Sequence, residues 1–147
     1  MIRRAQIDDL PQLAQLFDDY RVFYRKHPDL SAATNFIKER MIAEESVIFV
    51  HESNRELTGF TQLYPIFSST RMRRIWLLND LYVKPEYRGG GISKGLIEAA
   101  KEHCRQTNAS GLLLETEKSN KTGNSLYPSV GFDLNEEANF YSWENKE

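Results

Sequence analysis

A run of glycines flanked by basic residues near the middle of the chain has the composition of an anion site. The run is Arg88-Gly89-Gly90-Gly91-Ile92-Ser93, followed by Lys94, and it lies between an apolar strand-like stretch and an amphipathic helix-like stretch. Glycine lets the backbone come close to a ligand, and the free N–H groups at a helix start attract negative charge. The pattern predicts a phosphate or pyrophosphate site, and a flexible turn ahead of a helix is the other interpretation.

Two familiar nucleotide motifs are excluded at this loop. A P-loop needs the pair Gly-Lys followed by Ser or Thr, and the sequence contains no Gly-Lys pair. The dinucleotide fingerprint counted from Gly89 needs glycine at position 94, where the chain has Lys94. A phosphate site in this loop would therefore use neither the P-loop nor the dinucleotide motif.

Two polar residues interrupt the apolar stretch ahead of the loop. Residues 74–83 read Arg-Ile-Trp-Leu-Leu-Asn-Asp-Leu-Tyr-Val, with apolar residues at both alternating positions. That pattern predicts a central strand covered on both faces, and Asn79 and Asp80 fall within it. Burying a carboxylate is unfavourable unless it is compensated, so Asp80 marks a candidate functional site.

Composition excludes several classes of protein. The 147 residues carry a formal charge of −2, with 40% hydrophobic and 27% charged residues, which indicates one globular domain over residues 1–147. The charge balance argues against a nucleic-acid binder, and no stretch is apolar enough to span a membrane or serve as a secretory signal. Cys104 is the single cysteine and the three histidines are far apart, so we expect no disulfide, no metal site and a cytoplasmic location.

Periodicity predicts a mixed α/β fold, because strands and helices alternate irregularly in the order β-α-α-β-β-β-α-β-α-β-β. The helices are expected from Leu10 to about position 26, from a Ser31 cap to about Ala43, from about Gly91, and over 120–129. The strands are expected at 2–6, 47–51, 57–65, 74–83, 112–116, 131–132 and 140–143. The resulting α+β sheet would be partly antiparallel.

The motifs resemble the GNAT superfamily of acetyl-CoA-dependent N-acetyltransferases. Its signature Arg/Gln-x-x-Gly-x-Gly/Ala, placed after a central strand, is matched by residues 88–93. The downstream signature Asn-x-x-Ala-x-x-Leu-Tyr-x-x-x-Gly-Phe is matched by Asn120, Gly123, Leu126-Tyr127 and Gly131-Phe132 with the spacing intact. Gly59-Phe60 also fits the start of the family's third strand. The resemblance spans nearly the whole chain and implies a GNAT-like fold, with a central mixed sheet flanked by about four helices.

Within the superfamily, residues 59–64 and 80–83 are similar to the spermidine/spermine, or diamine, acetyltransferase branch. The chain departs from the family pattern at two positions. Ser93 replaces the last Gly/Ala of the first motif but is still small. Pro128 follows Tyr127 and disfavours helix there, so the last helix is expected to be short or kinked.

The resemblance implies roles for particular residues. Backbone groups of Leu81, Tyr82 and Val83 would bond the pantetheine arm of acetyl-CoA. The loop from Arg88 through Gly89, Gly90, Gly91, Ile92 and Ser93 to Lys94 would hold the pyrophosphate, and Asn120 is counted with this cofactor-binding set. Tyr127 matches the general acid that protonates the departing thiolate, a task that suits a hydroxyl protonated at neutral pH.

The resemblance also suggests a general base. Related diamine acetyltransferases have glutamate where this chain has Asn79, and an asparagine side chain does not accept a proton at neutral pH. Asp80 is therefore the expected base, directly or through water, although it could instead hold a loop or a substrate ammonium group. Asn79, Asp80 and Tyr24 are expected to bind the acceptor, with Tyr24 offering an aromatic face to a cation.

The function implied is acetyl transfer from acetyl-CoA to a primary amine, by direct attack, with a polyamine or other small amine as acceptor. The alternatives are the same fold acting on a protein N-terminus, a lysine or an aminoglycoside, and a non-catalytic CoA-binding module. Similar proteins pair through sheet edges and C-terminal strands, so a homodimer is expected. The aromatic residues 140–143 are the candidate contact, and they could equally complete the monomer core.

Overall fold

The computed structural model describes residues 1–146 and divides the chain into two compact units, Met1–Glu115 and a second unit that begins at Thr116. The first unit contains a five-stranded sheet and three helices, and the second contains the fourth helix. The predicted mixed α/β class with four helices is confirmed. The elements are β1 Ile2–Arg4, α1 Leu10–Phe23, α2 Leu30–Ile42, β2 Val47–Ser53, β3 Glu56–Ser68, β4 Arg73–Val83, α3 Ile92–Gln106, β5 Leu112–Leu113 and α4 Lys121–Ser129, with 3-10 turns at Ile7–Asp9 and Pro85–Tyr87.

The strand order follows the sequence, β1-β2-β3-β4-β5. Strands β1 to β4 pair antiparallel with one another, and β5 pairs parallel with β4. A parallel pair needs a crossover connection, and α3 supplies it between β4 and β5. The glycine loop thus lies between the carboxyl end of β4 at Val83 and the start of α3 at Ile92.

The sheet is covered on both faces. Alternate residues of β2 and β3, including Val50 and Phe60, pack with Leu13, Leu16 and Ile37 of α1 and α2 in one core cluster. The residues between them face α3: the ring of Phe49 lies 5.8 Å from that of His103. Each fully buried Leu, Ile or Phe side chain contributes about 1.5–3 kcal/mol, so these two layers hold the sheet in place.

The N-terminal ends of the helices follow from local chemistry. Asp29, not the expected Ser31, caps α2, and its Oδ1 accepts the Ala32 N–H at 3.1 Å. Asp29 has an extended φ of −155°, as an N-cap residue requires, whereas Ser31 lies one residue inside the helix. Gly91 precedes α3 with φ of 85°, a left-handed conformation that glycine adopts without strain.

The C-terminal strands are where the sequence-based prediction is wrong. Residues 131–132 and 140–143 form no strand, and β5 covers only Leu112–Leu113 instead of 112–116. Phe140, Tyr141 and Trp143 are 80%, 91% and 86% exposed. Aromatic, β-prone residues form a strand only where a neighbouring strand supplies the hydrogen-bond ladder, and no such neighbour exists among residues 1–146.

Within residues 1–146, none of the helices has the length and the apolar composition that crossing a bilayer requires.

Candidate active site

The loop between β4 and α3 forms a row of unpaired backbone donors. Gly89 and Gly91 both have φ of 85°, which turns successive N–H groups toward one side. The Gly95 N–H donates to the Gly91 carbonyl at 3.0 Å and is the first in this segment to find a protein acceptor. Among residues 1–146, the N–H groups of positions 89–94 have no such acceptor. Together with the start of α3, this row can bind an anion such as a pyrophosphate.

Two sets of contacts hold the turn that leads from β4 into the glycine loop. The Arg88 Nε donates to the Val83 carbonyl at 2.9 Å, and its guanidinium lies 5.4 Å from the ring centre of Tyr82 and 5.7 Å from that of Phe23. The carboxylate of Glu56 accepts from Lys84 Nζ at 2.5 Å and from the Tyr87 hydroxyl at 2.9 Å. The turn ahead of the glycines is thereby tied to the end of β4 and to the start of β3.

The end of β4 has one open edge. β4 pairs with β5 only at Trp76 and Leu77, opposite Leu112 and Leu113. From Asn79 to Val83 the strand keeps β3 on one side, and among residues 1–146 no strand pairs with its other side. Alternate backbone groups of Leu81, Tyr82 and Val83 on that edge can bond an extended ligand such as an amide-containing arm.

A bulge in β4 brings two polar side chains together. Gln62 is opposite Asp80 and Leu63 is opposite Leu78, so Asn79 is the extra residue. The side chain of Asp80 is 3% exposed and accepts from Gln62 Nε2 at 2.5 Å and from Asn79 Nδ2 at 3.1 Å. The bulge therefore keeps Asn79 beside Asp80 while the carboxylate stays under the helices.

Burial dominates the electrostatics of Asp80. Desolvation raises the pKa of this carboxyl above its ordinary value, and hydrogen bonds from Gln62, Asn79 and Tyr20 oppose that rise. A carboxyl with a raised pKa is a stronger base than an exposed one, which is what proton removal from an amine near neutral pH requires. Asp80 is thus a buried, hydrogen-bonded carboxylate whose pKa is raised by desolvation.

Aromatic rings from the end of α1 lie against this part of β4. The Tyr20 hydroxyl donates to the Asn79 carbonyl at 3.2 Å, and its ring lies 6.5 Å from that of Tyr82. Tyr24, at the end of α1, is half-buried and packs edge-on against Tyr20 at 5.0 Å. Rings at this position offer π faces to a cation.

The second unit contains the other predicted residues. Asn120 caps α4: its Oδ1 accepts the Gly123 N–H at 3.0 Å and its Nδ2 donates to Thr116 Oγ1 at 2.9 Å. A Cβ on Gly123 would lie 2.7 Å from Asn120 Nδ2 and 3.3 Å from Tyr127 Cε2, which explains the glycine where the family has alanine. The Tyr127 ring therefore lies close to Gly123, next to the Asn120 side chain that caps the same helix.

Pro128 is accommodated within α4, which is nine residues long and continues to Ser129. The Tyr127 carbonyl accepts the Phe132 N–H at 3.0 Å, and the two rings lie 5.8 Å apart. The helix is short, as predicted, and this contact fixes the residues that follow it.

Comparison with known proteins decides the family. Residues 10–132 match the acetyltransferase (GNAT) family. This chain belongs to the GNAT family. The uncharacterized N-acetyltransferase YhfO of Bacillus subtilis (strain 168) is 46% identical over 132 residues, covering 90% of this chain and 89% of that protein. A crystal structure of a probable acetyltransferase has a TM-score of 0.94 and 34% identity, covering 100% of this chain and 99% of that one.

A more distant GNAT relative has a named substrate. The thialysine N-epsilon-acetyltransferase of Sus scrofa is 35% identical over 88 residues, which are 59% of this chain and 51% of that protein. This GNAT protein is an N-acetyltransferase, and acetyl-CoA is the co-substrate that the family uses. The free N–H row at 89–94 and the open edge at 81–83 fit the pyrophosphate and the amide-containing arm of that molecule.

The structure groups most of the predicted residues of this GNAT enzyme in the first unit. Residues 79–83, the loop 88–94 and Tyr24 belong to it, and Asn120 and Tyr127 belong to the second. Sequence reasoning missed Gln62, Ser46 and Glu56. Gln62 had a usable signal, because an amide in an otherwise apolar, strand-like stretch requires a buried partner. Among residues 1–146, no three His, Cys, Asp or Glu side chains cluster in a way that could hold a metal ion.

Proposed function

We propose that this N-acetyltransferase moves the acetyl group of acetyl-CoA onto a primary amine of a small molecule by direct attack. The observation that carries the proposal is the continuity of β4. Its buried carboxylate at Asp80, its open edge at 81–83 and the row of free N–H groups at 89–94 follow one another along the chain. In that order, the three features would serve as the general base, the strand edge that binds the pantetheine arm and the site that binds the pyrophosphate.

The proposed binding of acetyl-CoA uses backbone groups. The N–H groups of residues 89–94 would bind the pyrophosphate, and Arg88 and Lys94 would add positive charge. Leu81, Tyr82 and Val83 would bond the arm, and an N–H on the same edge would stabilise the developing oxyanion. Acetyl-CoA supplies the thioester whose carbonyl carbon the amine attacks.

Asp80 would take the proton of the acceptor ammonium group, directly or through one water. An alkyl ammonium has a pKa near 10, so a base must accept its proton near neutral pH. The carboxylate of Asp80 is held by donors on both oxygens, and Asn79 Nδ2 is one of them. Asn79 thus supports the base and, at the exposed side of the bulge, contributes to acceptor binding.

Tyr127 would protonate the CoA thiolate as the carbon–sulfur bond breaks. The support is its place seven residues after Asn120 and four before Gly131, as in the family motif. The Asn120 cap and the packing against Phe132 restrict the Tyr127 ring. The ammonium nitrogen loses two protons on becoming an amide. The first goes to Asp80 before the attack and then to solvent, and the second, released from the tetrahedral intermediate, restores Tyr127 through water after its hydroxyl has protonated sulfur. Asn120, whose side chain caps α4, is also proposed to belong to the cofactor-binding residues.

The acceptor is proposed to be a small aliphatic amine. The named relative acetylates thialysine, whose ε-type amine is primary and aliphatic. The rings of Tyr20, Tyr24 and Tyr82 lie near Asn79 and would favour a cationic acceptor before it loses its proton. Polyamines, as in the diamine branch, belong to the same chemical class.

A turnover assay tests the proposal. Free thiol release from acetyl-CoA is measured against polyamines, lysine and thialysine, aminoglycosides, and peptides with free N-termini, with Asp80→Asn as the control for uncatalysed hydrolysis. The highest kcat/KM should fall on a small aliphatic amine. Preference for a peptide or an aminoglycoside would assign the acceptor to that class instead. Acetyl-CoA binding with no turnover on the whole panel would identify a non-catalytic CoA-binding module.

We also propose a cytoplasmic homodimer. Phe140, Tyr141 and Trp143 are at least 80% exposed, and such an aromatic cluster is typical of a protein contact. The lone Cys104 supports a reducing compartment. Sedimentation should give twice the 17.1 kDa chain mass, and replacing Phe140 and Trp143 by Ser should give the chain mass. A wild-type monomer at micromolar concentration and above would reject the dimer.

A further inference from the structure

A buried chain of hydrogen bonds leads away from Asp80 into the core. Ser46 Oγ donates to Gln62 Oε1 at 2.8 Å, and Gln62 Nε2 donates to Asp80 Oδ2 at 2.5 Å. Ser46 is 9% exposed, Gln62 is fully buried and Asp80 is 3% exposed. Three polar side chains from β3, β4 and the residue before β2 thus meet at a site that is almost entirely buried.

The direction of this chain is set by donors and acceptors. A hydroxyl that donates to Gln62 Oε1 leaves only the Nε2 end of the amide to face Asp80. An N–H facing a carboxylate favours its ionised form, whereas a carbonyl in the same place would favour the protonated form. The amide orientation therefore selects the charge state of Asp80.

We propose that Gln62 is a positioning residue that keeps the buried Asp80 carboxylate ionised and in one orientation, and that Ser46 supports this amide direction by donating to Gln62 Oε1. The proposal rests on the proposed function only in taking Asp80 as the base. Gln62 contacts neither the acceptor nor acetyl-CoA in this scheme and acts only through the Asp80 carboxylate. It lies directly opposite Asp80 in the β3–β4 register, so the contact is held by the sheet itself.

The other groups around Asp80 do not replace this contact. Asn79 from β4 also donates to the Asp80 side chain but is exposed, and the Tyr20 hydroxyl from α1 is shared with the Asn79 carbonyl, to which it donates at 3.2 Å. Tyr64 from β3 is protonated over the working range, since burial and the Asp80 charge raise its pKa to about 12. Arg40 of α2 acts on Tyr64 with the opposite sign. Gln62 is the fully buried donor of this set.

The test measures two quantities separately: the pKa of the Asp80 carboxyl and the pH dependence of kcat/KM. Carbon-13 NMR, with the signal assigned by Asp80→Asn, gives the Asp80 pKa in wild type, Gln62→Met and Ser46→Ala. Gln62→Met keeps the side-chain length and removes the donor. We expect the pKa to rise by about one unit, with a smaller rise in Ser46→Ala, and the acidic limb of kcat/KM to move with it. On that limb, kcat/KM falls about tenfold.

Thr61→Val is the matched control. Thr61 is equally buried, and its Oγ1 donates at 2.8 Å to the Asp80 backbone carbonyl, not to its carboxylate. It should leave the Asp80 pKa where it is in wild type. If the carboxyl pKa rises but the rate profile stays fixed, Gln62 has its proposed role and Asp80 is not the base.

An Asp80 pKa unchanged in Gln62→Met would overturn the proposal. If Gln62→Met fails to fold, Ser46→Ala alone decides, because the hydroxyl acts only through Gln62 in this scheme. An unchanged Asp80 pKa in that variant then overturns the proposal as well.

Discussion

The imidazole of His103 packs against the indole of Trp76, with ring centres 4.7 Å apart. The ring of Phe49 lies 5.8 Å away, and His103 Nε2 is buried without a hydrogen-bond partner among residues 1–146. Desolvation lowers the pKa of His103, and the charges of Arg4 and Arg74 lower it further. The neutral imidazole is therefore the form that the folded protein accommodates between α3 and the sheet.

This burial predicts acid sensitivity. When the pKa of a histidine in the folded protein lies below its unfolded value of 6.5, that histidine does not lower the free energy of unfolding at pH values above 6.5. Stability is then lost as the pH falls from about 6.5 toward the lowered pKa. In His103→Leu, the fall in Tm between about pH 8 and about pH 5 should be smaller than in wild type. The measurement near pH 8 reports packing alone and serves as the internal control. An equal fall in both proteins would contradict this role.

Gly91→Val should weaken acetyl-CoA binding by at least about tenfold while the protein still folds. An added Cβ meets no protein atom within 4 Å, so the change does not clash within the chain. It does place a β-branched side chain at φ of 85° and beside the row of free N–H groups. Calorimetry on Gly91→Val, with Gly111→Ala as a control at an equally open glycine, measures the effect. Wild-type affinity in folded Gly91→Val would remove the loop from the proposed site.

Asp80→Asn should separate activity from stability. Loss of the base should lower kcat by about 10²–10⁴-fold. Because the folded pKa of Asp80 is raised, its charge destabilises the fold above that pKa, and the effect disappears below the ordinary value of 3.8. The Tm of Asp80→Asn relative to wild type should therefore be higher at neutral pH than in acid, where Asp80 is protonated in both the folded and the unfolded state. A fully active variant whose Tm difference from wild type is the same at neutral pH and in acid would refute both expectations.

Tyr127→Phe should lower the single-turnover rate by about 10²–10⁴-fold and leave acetyl-CoA affinity nearly unchanged. The thiolate charge exists only as the bond breaks, so the hydroxyl acts on the transition state and not on binding. Single-turnover measurement is needed because product release can hide a chemical defect. Tyr141→Phe, at a 91% exposed tyrosine, is the matched control. A wild-type rate in Tyr127→Phe would make the residue structural.

Local patterns in the sequence were enough for most elements of the first unit. The glycine loop and the α3 start were predictable because both depend on neighbouring residues, namely an apolar strand before and an amphipathic stretch after. β4 was predicted at 74–83 and spans Arg73–Val83. The α2 cap was misplaced by two residues, since Asp29 and Ser31 are both capping residues and only the backbone conformation distinguishes them.

The C-terminal strands could not be predicted from local pattern. Residues 140–143 have the side chains of a strand, but strand formation depends on a partner for the backbone. The tertiary structure provides none among residues 1–146, and it ends β5 at Leu113.

The sequence by itself determined the family motifs, the identity of the glycine loop and the presence of a carboxylate in a central strand. Only the tertiary structure decided what surrounds that carboxylate. Gln62 and Ser46 are 18 and 34 positions from Asp80, and their contact depends on the β3–β4 register and on the bulge at Asn79. Charge state and orientation follow from such distant contacts, because burial and hydrogen bonds act through space and not along the chain.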